Sequence, residues 1–298
     1  MSTIDQKILD SLFRDIVKFY SSSQTSLITL RAIIKAVKFL ECEDDMFRVQ
    51  IREVCKIITN SQPRMFPIDN LIILLEHELK KNSYFEDKNI SVKKSGTIEI
   101  IEDLITRLNY DMRELANQGL DHITDGDFIV LHAVEEPVEL LLPEAKKMGK
   151  EFEVLILRQE SVKTNRVIKI MEENQIKFTV IPEWDLIHTF DKVTKLFIGA
   201  YAITADGRFV SDSGTSNIVS ECYIHKLPIY LFAPILEITP TVSDNQNLYL
   251  KEESQYASGV DYTLISHSCD IVNLDLVNHI ITDQGEISKE KLKGYCIV

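Results

Sequence analysis

The side chains best suited by type to do chemistry are His132, the carboxylates Glu135, Glu136 and Glu139 that follow it, and the stretch IGAYAITADGRFVSDSGTSNIVSE, residues 198–221. In that stretch a strand, a tight turn around Asp206-Gly207 and a Gly214-Thr215 pair opening a helix have the build of a phosphate cradle. The first backbone N–H groups of a helix are unpaired and its dipole favours an anion. The neighbours, however, are Tyr201, Ser211 and Asp212, and an aspartate has the wrong sign for a phosphate pocket. Asp212 reads more simply as an acid that complements the helix dipole, and Tyr201 as an aromatic that fills space. His132 is a lone ring at the end of a predicted strand, and it reads as a hydrogen-bonded core residue rather than a catalyst. The three glutamates lie on or next to a helix start, where acids are favoured without any acid–base duty.

Other signatures are missing. No G-x-G-x-x-G follows the first strand, and there is no P-loop and no G-x-S-x-G, so dinucleotide binding, NTP hydrolysis and α/β-hydrolase chemistry lose their usual marks. The five cysteines, Cys42, Cys55, Cys222, Cys269 and Cys296, form no C-x-x-C pair and have no histidine at ligand spacing. They read as reduced core thiols, and neither a metal nor a cofactor is expected.

The elements that must position these residues fall into two halves. Residues 1–122 read as a helical domain, with apolar stripes over Ile8–Ile16, Leu27–Leu40, Phe47–Ile58, Leu71–Leu79 and a long one over Ile98–Leu115. Pro63 and Pro67 bar a helix interior between the third and fourth, and 80–96 reads as a polar loop. From 123 to 298 strands and helices alternate: strands at 128–133, 153–158, 178–181, 195–200 and 228–233, with helices at 138–148, 162–174, near 184–190 and from Gly214. Continuous apolarity in the strands means both faces are covered, which predicts a Rossmann-like α/β domain with a mainly parallel sheet. Residues 236–262 read as an irregular excursion, and 271–288 as a helix followed by a last strand. Ligands in such sheets sit at the carboxyl ends of strands, here His132-Ala133-Val134, Arg158-Gln159-Glu160, Pro182-Glu183-Trp184, Tyr201-Ala202 and Pro234. None of them offers an obvious nucleophile.

The composition of the 298 residues, 45% hydrophobic and 27% charged, is that of a folded globular chain. Its net charge of -13 argues against a protein that grips nucleic acid, which needs clustered Lys and Arg, and suits basic protein partners or simple solubility. The start, MSTIDQKILDSLFRDIVKFY, carries acids among its apolar positions, unlike a secretory or transit segment, and no apolar run approaches the ~18 residues of a membrane span. A cytoplasmic address without membrane contact is expected.

A helical first half, an α/β second half, FIGAYAITADGRFVSDSGTSNI, HKLPIYLFAP and CDIVNLDLVNHIITDQGEIS together resemble the family that unites translation initiation factor 2B regulatory subunits with isomerases of methylthioribose 1-phosphate and ribose 1,5-bisphosphate. The isomerases of that family carry a T-H-C pattern after the first strand, a G-A-D triplet and an Asn-Lys pair before the Gly-Thr helix. Here the matching residues are His132-Ala133, Gly199-Ala200-Tyr201 and Ser211-Asp212. Thiol, carboxylate and phosphate-facing cation are thus replaced together. The resemblance implies a degenerate sugar-phosphate pocket at His132, Ala133, Tyr201, Ser211, Asp212, Gly214, Thr215 and Asp270, with no catalytic residue. ITNSQPRMFPIDNLI, APILEITP and IIEDLITRLNYDMRELANQGLDHI are most similar to the beta-type regulatory subunit, whereas LRQESVKTN and the short C-terminus leave alpha and delta types open.

What this resemblance implies is a non-catalytic regulatory or scaffold subunit of the guanine nucleotide exchange factor for translation initiation factor 2. Its implied partners are homologous delta-, alpha-, gamma- and epsilon-type subunits and initiation factor 2 itself. Leu274, Leu276, Val277 and Ile280 are candidates for a subunit interface, with core packing as the other reading. Two alternatives remain: a sugar-phosphate isomerase with a rearranged site, and a sensor that binds a sugar phosphate or nucleotide at Gly214-Thr215.

Overall fold

A computed structural model describes residues 16, 20–61, 66–82, 89–240 and 250–296; the helix expected over Ile8–Ile16 lies outside them except for Ile16. The chain begins with four helices, α1 (Ser22–Phe39), α2 (Phe47–Thr59), α3 (Phe66–Lys81) and α4 (Ile90–Gly119). Ser21 and Gln24 close a capping box at the start of α1, each side chain accepting from the other's backbone N–H. Leu30, Ile33, Val37, Phe47, Ile51, Ile68, Leu71, Leu75, Ile101, Leu104 and Leu108 meet in one core, the apolar stripes of four amphipathic helices packed together. Pro67 sits in the first turn of α3, where its missing N–H costs nothing.

The polar 80–96 stretch is corrected in its second half. Asn89 accepts from Ser91 N at 2.8 Å and starts α4 at Ile90, and Lys93 spends its ammonium on Asp44 O at 2.5 Å, so the polar residues cap and anchor a helix. The far end of α4 brings Leu115 and Ala116 into the second core. A Cβ added at Gly119 would lie 2.7 Å from Leu141 Cδ2 and 2.8 Å from Phe232, so the absent side chain is what lets the spine helix lie this close to the sheet.

Beyond it the α/β domain runs β1 (Phe128–His132), α5 (Glu136–Lys147), β2 (Glu153–Arg158), α6 (Ser161–Glu173), β3 (Lys177–Pro182), a 3-10 turn (Glu183–His188) and β4 (Lys195–Gly199). There follow β5 (Ala202–Thr204), β6 (Arg208–Asp212), α7 (Thr215–Ile224), β7 (Ile229–Phe232), a 3-10 turn (Ile235–Glu237) and β8 (Ile238–Thr239). The remaining strands are β9 (Leu250–Ala257), β10 (Val260–His267), β11 (Cys269–Asn273), β12 (His279–Thr282) and β13 (Gly285–Ile287), followed by a 3-10 helix (Lys289–Gly294). The main sheet has the order β13-β12-β7-β4-β1-β2-β3, parallel throughout except for β12–β13. β1 and β4 lie side by side where the winding direction reverses, so a crevice opens beyond their carboxyl ends. A smaller sheet, β11-β6-β5-β8, stands over that crevice.

Three expectations change. The predicted helix near 184–190 is the short 3-10 turn Glu183–His188. The excursion over 236–262 contains β8 and, beyond residues outside the description, the paired strands β9 and β10. Their two-residue turn, Ser258-Gly259, has φ of 55° and 82°, the conformation that suits a hairpin twist. Finally, 271–288 forms no helix. IVN completes β11, Asn273 accepts from Asp275 N at 2.8 Å to end it, and the leucines of NLDL follow in a single 3-10 turn.

Candidate functional site

At the end of β1 the chain turns sharply: Ala133 has φ 47°, a conformation that costs a residue with a Cβ on the order of 1 kcal/mol. Its carbonyl accepts from Gly199 N at 2.9 Å and its N–H donates to Gln159 Oε1 at 2.9 Å. This tie brings the ends of β1, β2 and β4 together. Glu135 then lies across Gly199, where a built Cβ would meet Glu135 Cγ at 2.6 Å. The switch-point crevice is thus filled by a glutamate of the chain itself.

Around it the polar groups are paired internally. Lys163, from the first turn of α6, reaches Asp212 Oδ1 at 2.5 Å and the Tyr201 hydroxyl at 2.7 Å, and the Tyr201 hydroxyl also donates to Asp212. The Lys163 and Asp212 side chains are only 16% and 12% exposed. Burial alone would lower the Lys163 ammonium, but the charges of Asp212 and Glu135 outweigh it and hold it above its ordinary value. Burial and the charge of Asp212 push the Tyr201 phenol well up, and burial with the same charge pushes the neighbouring Cys269 thiol up to about 12. Burial raises Cys55 to about 11 and Cys222 to about 12. These thiols have little thiolate to offer as nucleophiles.

The Gly214-Thr215 cradle is formed as the sequence reading has it. Gly214 has φ 92° and precedes α7, and Ser211 Oγ donates to Gly199 O at 2.8 Å, tying β6 to β4. Acids of the chain itself stand at this helix start. Asp270 Oδ2 accepts from Ser216 N at 2.9 Å, and Glu183 stands above Gly214, its Oε2 only 2.9 Å from where a Cβ would be. Asp270, rather than Asp212, is therefore the acid at the helix start. His132 is wholly buried, with Nε2 3.0 Å from Thr215 Oγ1. Its Nδ1 faces Glu183 Oε1 at 3.3 Å, near enough for charge but outside hydrogen-bond geometry.

The helical region seals the same edge. Ser22 N donates to Glu135 Oε2 at 2.8 Å, Ser22 Oγ donates to Glu237 Oε1 at 2.6 Å, and Ser23 Oγ donates to Glu136. Glu139 is held by Arg166 at 2.5 Å. The helix-start glutamates are there for these contacts.

The structure brings together His132, Ala133, Tyr201, Ser211, Asp212, Gly214, Thr215 and Asp270, all at the carboxyl edge of the sheet. It also supplies a cation, which the sequence reading has as lost: Lys163. The wrong-signed Asp212 was the signal, since a buried carboxylate demands a partner. The interface candidates Leu274, Val277 and Ile280 are 0%, 6% and 3% exposed and belong to the α/β core, with Leu276 partly buried against it. The side chains of Leu274, Val277 and Ile280 serve core packing because the strand-turn-strand path carries them inward. No group of His, Cys, Asp and Glu that could hold a metal occurs among the described residues, and no described helix is long and apolar enough to cross a membrane.

These features define a class: a helix-capped, doubly wound α/β protein whose switch-point pocket is occupied by its own side chains. The chain belongs to the Initiation factor 2 subunit family (IF-2B), whose profile it matches over residues 19–289. Among its relatives, the translation initiation factor eIF2B subunit delta of Dictyostelium discoideum is 22% identical over 90% of this chain and 47% of its own. The chain therefore spans about half the length of that relative. A putative eIF-2B subunit 2-like protein of Pyrococcus abyssi is 28% identical over 82% of this chain and 83% of its own. Ribose 1,5-bisphosphate isomerase of Archaeoglobus fulgidus is 20% identical over 85% of this chain and 82% of its own.

The fold is that of the translation initiation factor eIF-2B structure from Pyrococcus horikoshii, with a TM-score of 0.79 at 20% identity over 96% of this chain and 98% of that one. It is also that of a chain in the tetrameric eIF2B-beta2-delta2 complex from C. thermophilum, with a TM-score of 0.74 at 16% identity over 97% and 92%.

Proposed function

We propose that this chain is a non-catalytic regulatory or scaffold subunit, beta-like in type, of the guanine nucleotide exchange factor for translation initiation factor 2. Its helical region (1–122) and α/β domain (123–298) act as two domains of one cytoplasmic subunit. The observation that carries this reading is the state of the switch-point pocket. At the positions where the resembling isomerases have a cysteine and an aspartate stand Ala133 and Tyr201. Lys163, a buried cation of the pocket, is paired with Asp212. On this reading its contribution to function comes through binding rather than bond making. Partners that favour productive or non-productive assemblies shift the exchange factor between states, each by its differential affinity. Relatives of both delta and beta type support the class, and a beta–delta complex among the related folds supports homologous subunits as partners.

Native mass spectrometry of the purified chain with delta-, alpha-, gamma- and epsilon-type subunits tests this, with a defined hetero-oligomer that retains initiation factor 2 as the expected result. Incubation with ribose 1,5-bisphosphate or methylthioribose 1-phosphate is expected to give no ketose. Turnover that is lost on His132→Ala would replace this reading by the isomerase one that the Archaeoglobus relative represents.

A further inference from the structure

The first turn of α1 fastens the helical region to the crevice through two buried carboxylates. Ser22 donates its backbone N–H to Glu135 at 2.8 Å and its hydroxyl to Glu237 at 2.6 Å, and both glutamates are buried. Beside this clasp, Asn70 of α3 donates to Leu236 O at 2.5 Å and Ile238 O at 3.2 Å, gripping the turn that carries Glu237. Leu236 itself packs on the helical core. The clasp therefore links the N-terminal helices to the ends of β1 and β7, and opening it hydrates both carboxylates.

We propose that the Ser21–Ser23 turn and the Glu135–Glu237 pair form a proton-controlled latch, which holds the helical region on the strand-end crevice in acid and loosens as the pH rises. The groups facing Glu135 are Lys163 and Arg166 of α6, Asp212 of β6, Tyr201 after β4 and Glu237. Glu237 faces Ser22, Glu135 and Asp283. Two carboxylates sharing one serine cannot both ionise cheaply in a buried place. Burial pushes Glu135 up to about 7 from 4.5 against the pull of Lys163 and of the Ser22 N–H, and it raises Glu237 well above its ordinary value although the Ser22 hydroxyl donated to it favours the ionised form.

A carboxyl whose proton is held more tightly when latched stabilises the latch fully below its free value of 4.5. That stabilisation is lost as the pH climbs through about 7. For Glu135 alone, the opening constant rises on the order of fiftyfold between about pH 5 and about pH 8, most of it below neutrality, and Glu237 adds in the same direction.

Amide hydrogen exchange on the full chain tests this, with rates corrected for the intrinsic effect of pH and Leu108 in the helical core as the reference. Protection of Ser22 and Thr25 is expected to fall by roughly fiftyfold or more across that range while Leu108 holds. The Glu135→Gln/Glu237→Gln variant is expected to lose this dependence. Wild-type protection constant within about threefold overturns the proposal, as does an equal loss at Leu108, which would mean global opening. Since both overturning results come from the wild-type chain, a variant that failed to fold would leave the decision to that measurement.

Discussion

Replacing Lys163 by methionine is the sharpest perturbation of the filled pocket. The substitution keeps the unbranched apolar stem and removes the ammonium that lies 2.5 Å from Asp212 Oδ1 and 2.7 Å from the Tyr201 hydroxyl. Asp212 is left 12% exposed, with the phenol as its remaining side-chain donor. Breaking a buried ion pair by removing one partner costs about 3–5 kcal/mol; the partial solvent access of this pair lowers the expectation to about 2–4 kcal/mol.

The second substitution, Asp212→Asn, removes the stranded charge but keeps an oxygen for the Tyr201 hydroxyl. The double variant Lys163→Met/Asp212→Asn should accordingly recover to within about 1 kcal/mol of the parent, giving a coupling of at least about 2 kcal/mol, since Asp212→Asn alone strands the Lys163 ammonium. Urea unfolding of the four proteins at neutral pH, followed by far-ultraviolet circular dichroism, measures the cycle. A loss below about 1 kcal/mol for Lys163→Met, or additive single effects, would refute the reasoning that this pair fills the crevice as a buried unit.

Gly199→Ala drives a methyl to 2.6 Å from Glu135 Cγ and 3.0 Å from the Ala133 carbonyl; overpacking of this kind should cost about 1–3 kcal/mol in the same unfolding assay. Ala133→Gly should instead stabilise by about 0.5–1 kcal/mol, because φ 47° at Ala133 strains a residue with a Cβ. An unchanged or lowered unfolding midpoint would show that this backbone is relaxed.

Much of the frame was legible from one chain. Runs such as FIVLH and KLFIG announce strands covered on both faces, and β1 and β4 do lie in the middle of a parallel sheet. Gly207 and Gly214 mark the turn and the helix start, where φ of 93° and 92° favours glycine. What local pattern could not supply was pairing across long separations. The clasp of Ser22 on Glu135 and Glu237 spans 113 and 215 positions. The serines of α1 look like ordinary cap residues until the glutamates are placed beside them. Leu274, Val277 and Ile280 read equally as core or interface, and only the inward path of the turn before β12 decides between them. The small sheet was hidden because its strands are only two to five residues long, β8 the shortest and β6 and β11 the longest.

The same pairings give the groups of the cradle partners within the chain. A helix start with unpaired N–H groups must be answered by some acceptor, and a parallel sheet needs its strand ends tied. In this chain Asp270 answers Ser216, Ser211 ties β6 to β4, and Lys163 with Asp212 and Tyr201 closes the space between. Each of these groups would compete with an incoming phosphate for the donors it requires. The charge at position 212 is thus consistent with its surroundings: the acid there is matched by Lys163, whose ammonium lies 2.5 Å from Asp212 Oδ1. The strand-end edge is at the same time a joint between the helical region and the sheet, where Ser22 meets Glu135 and Glu237.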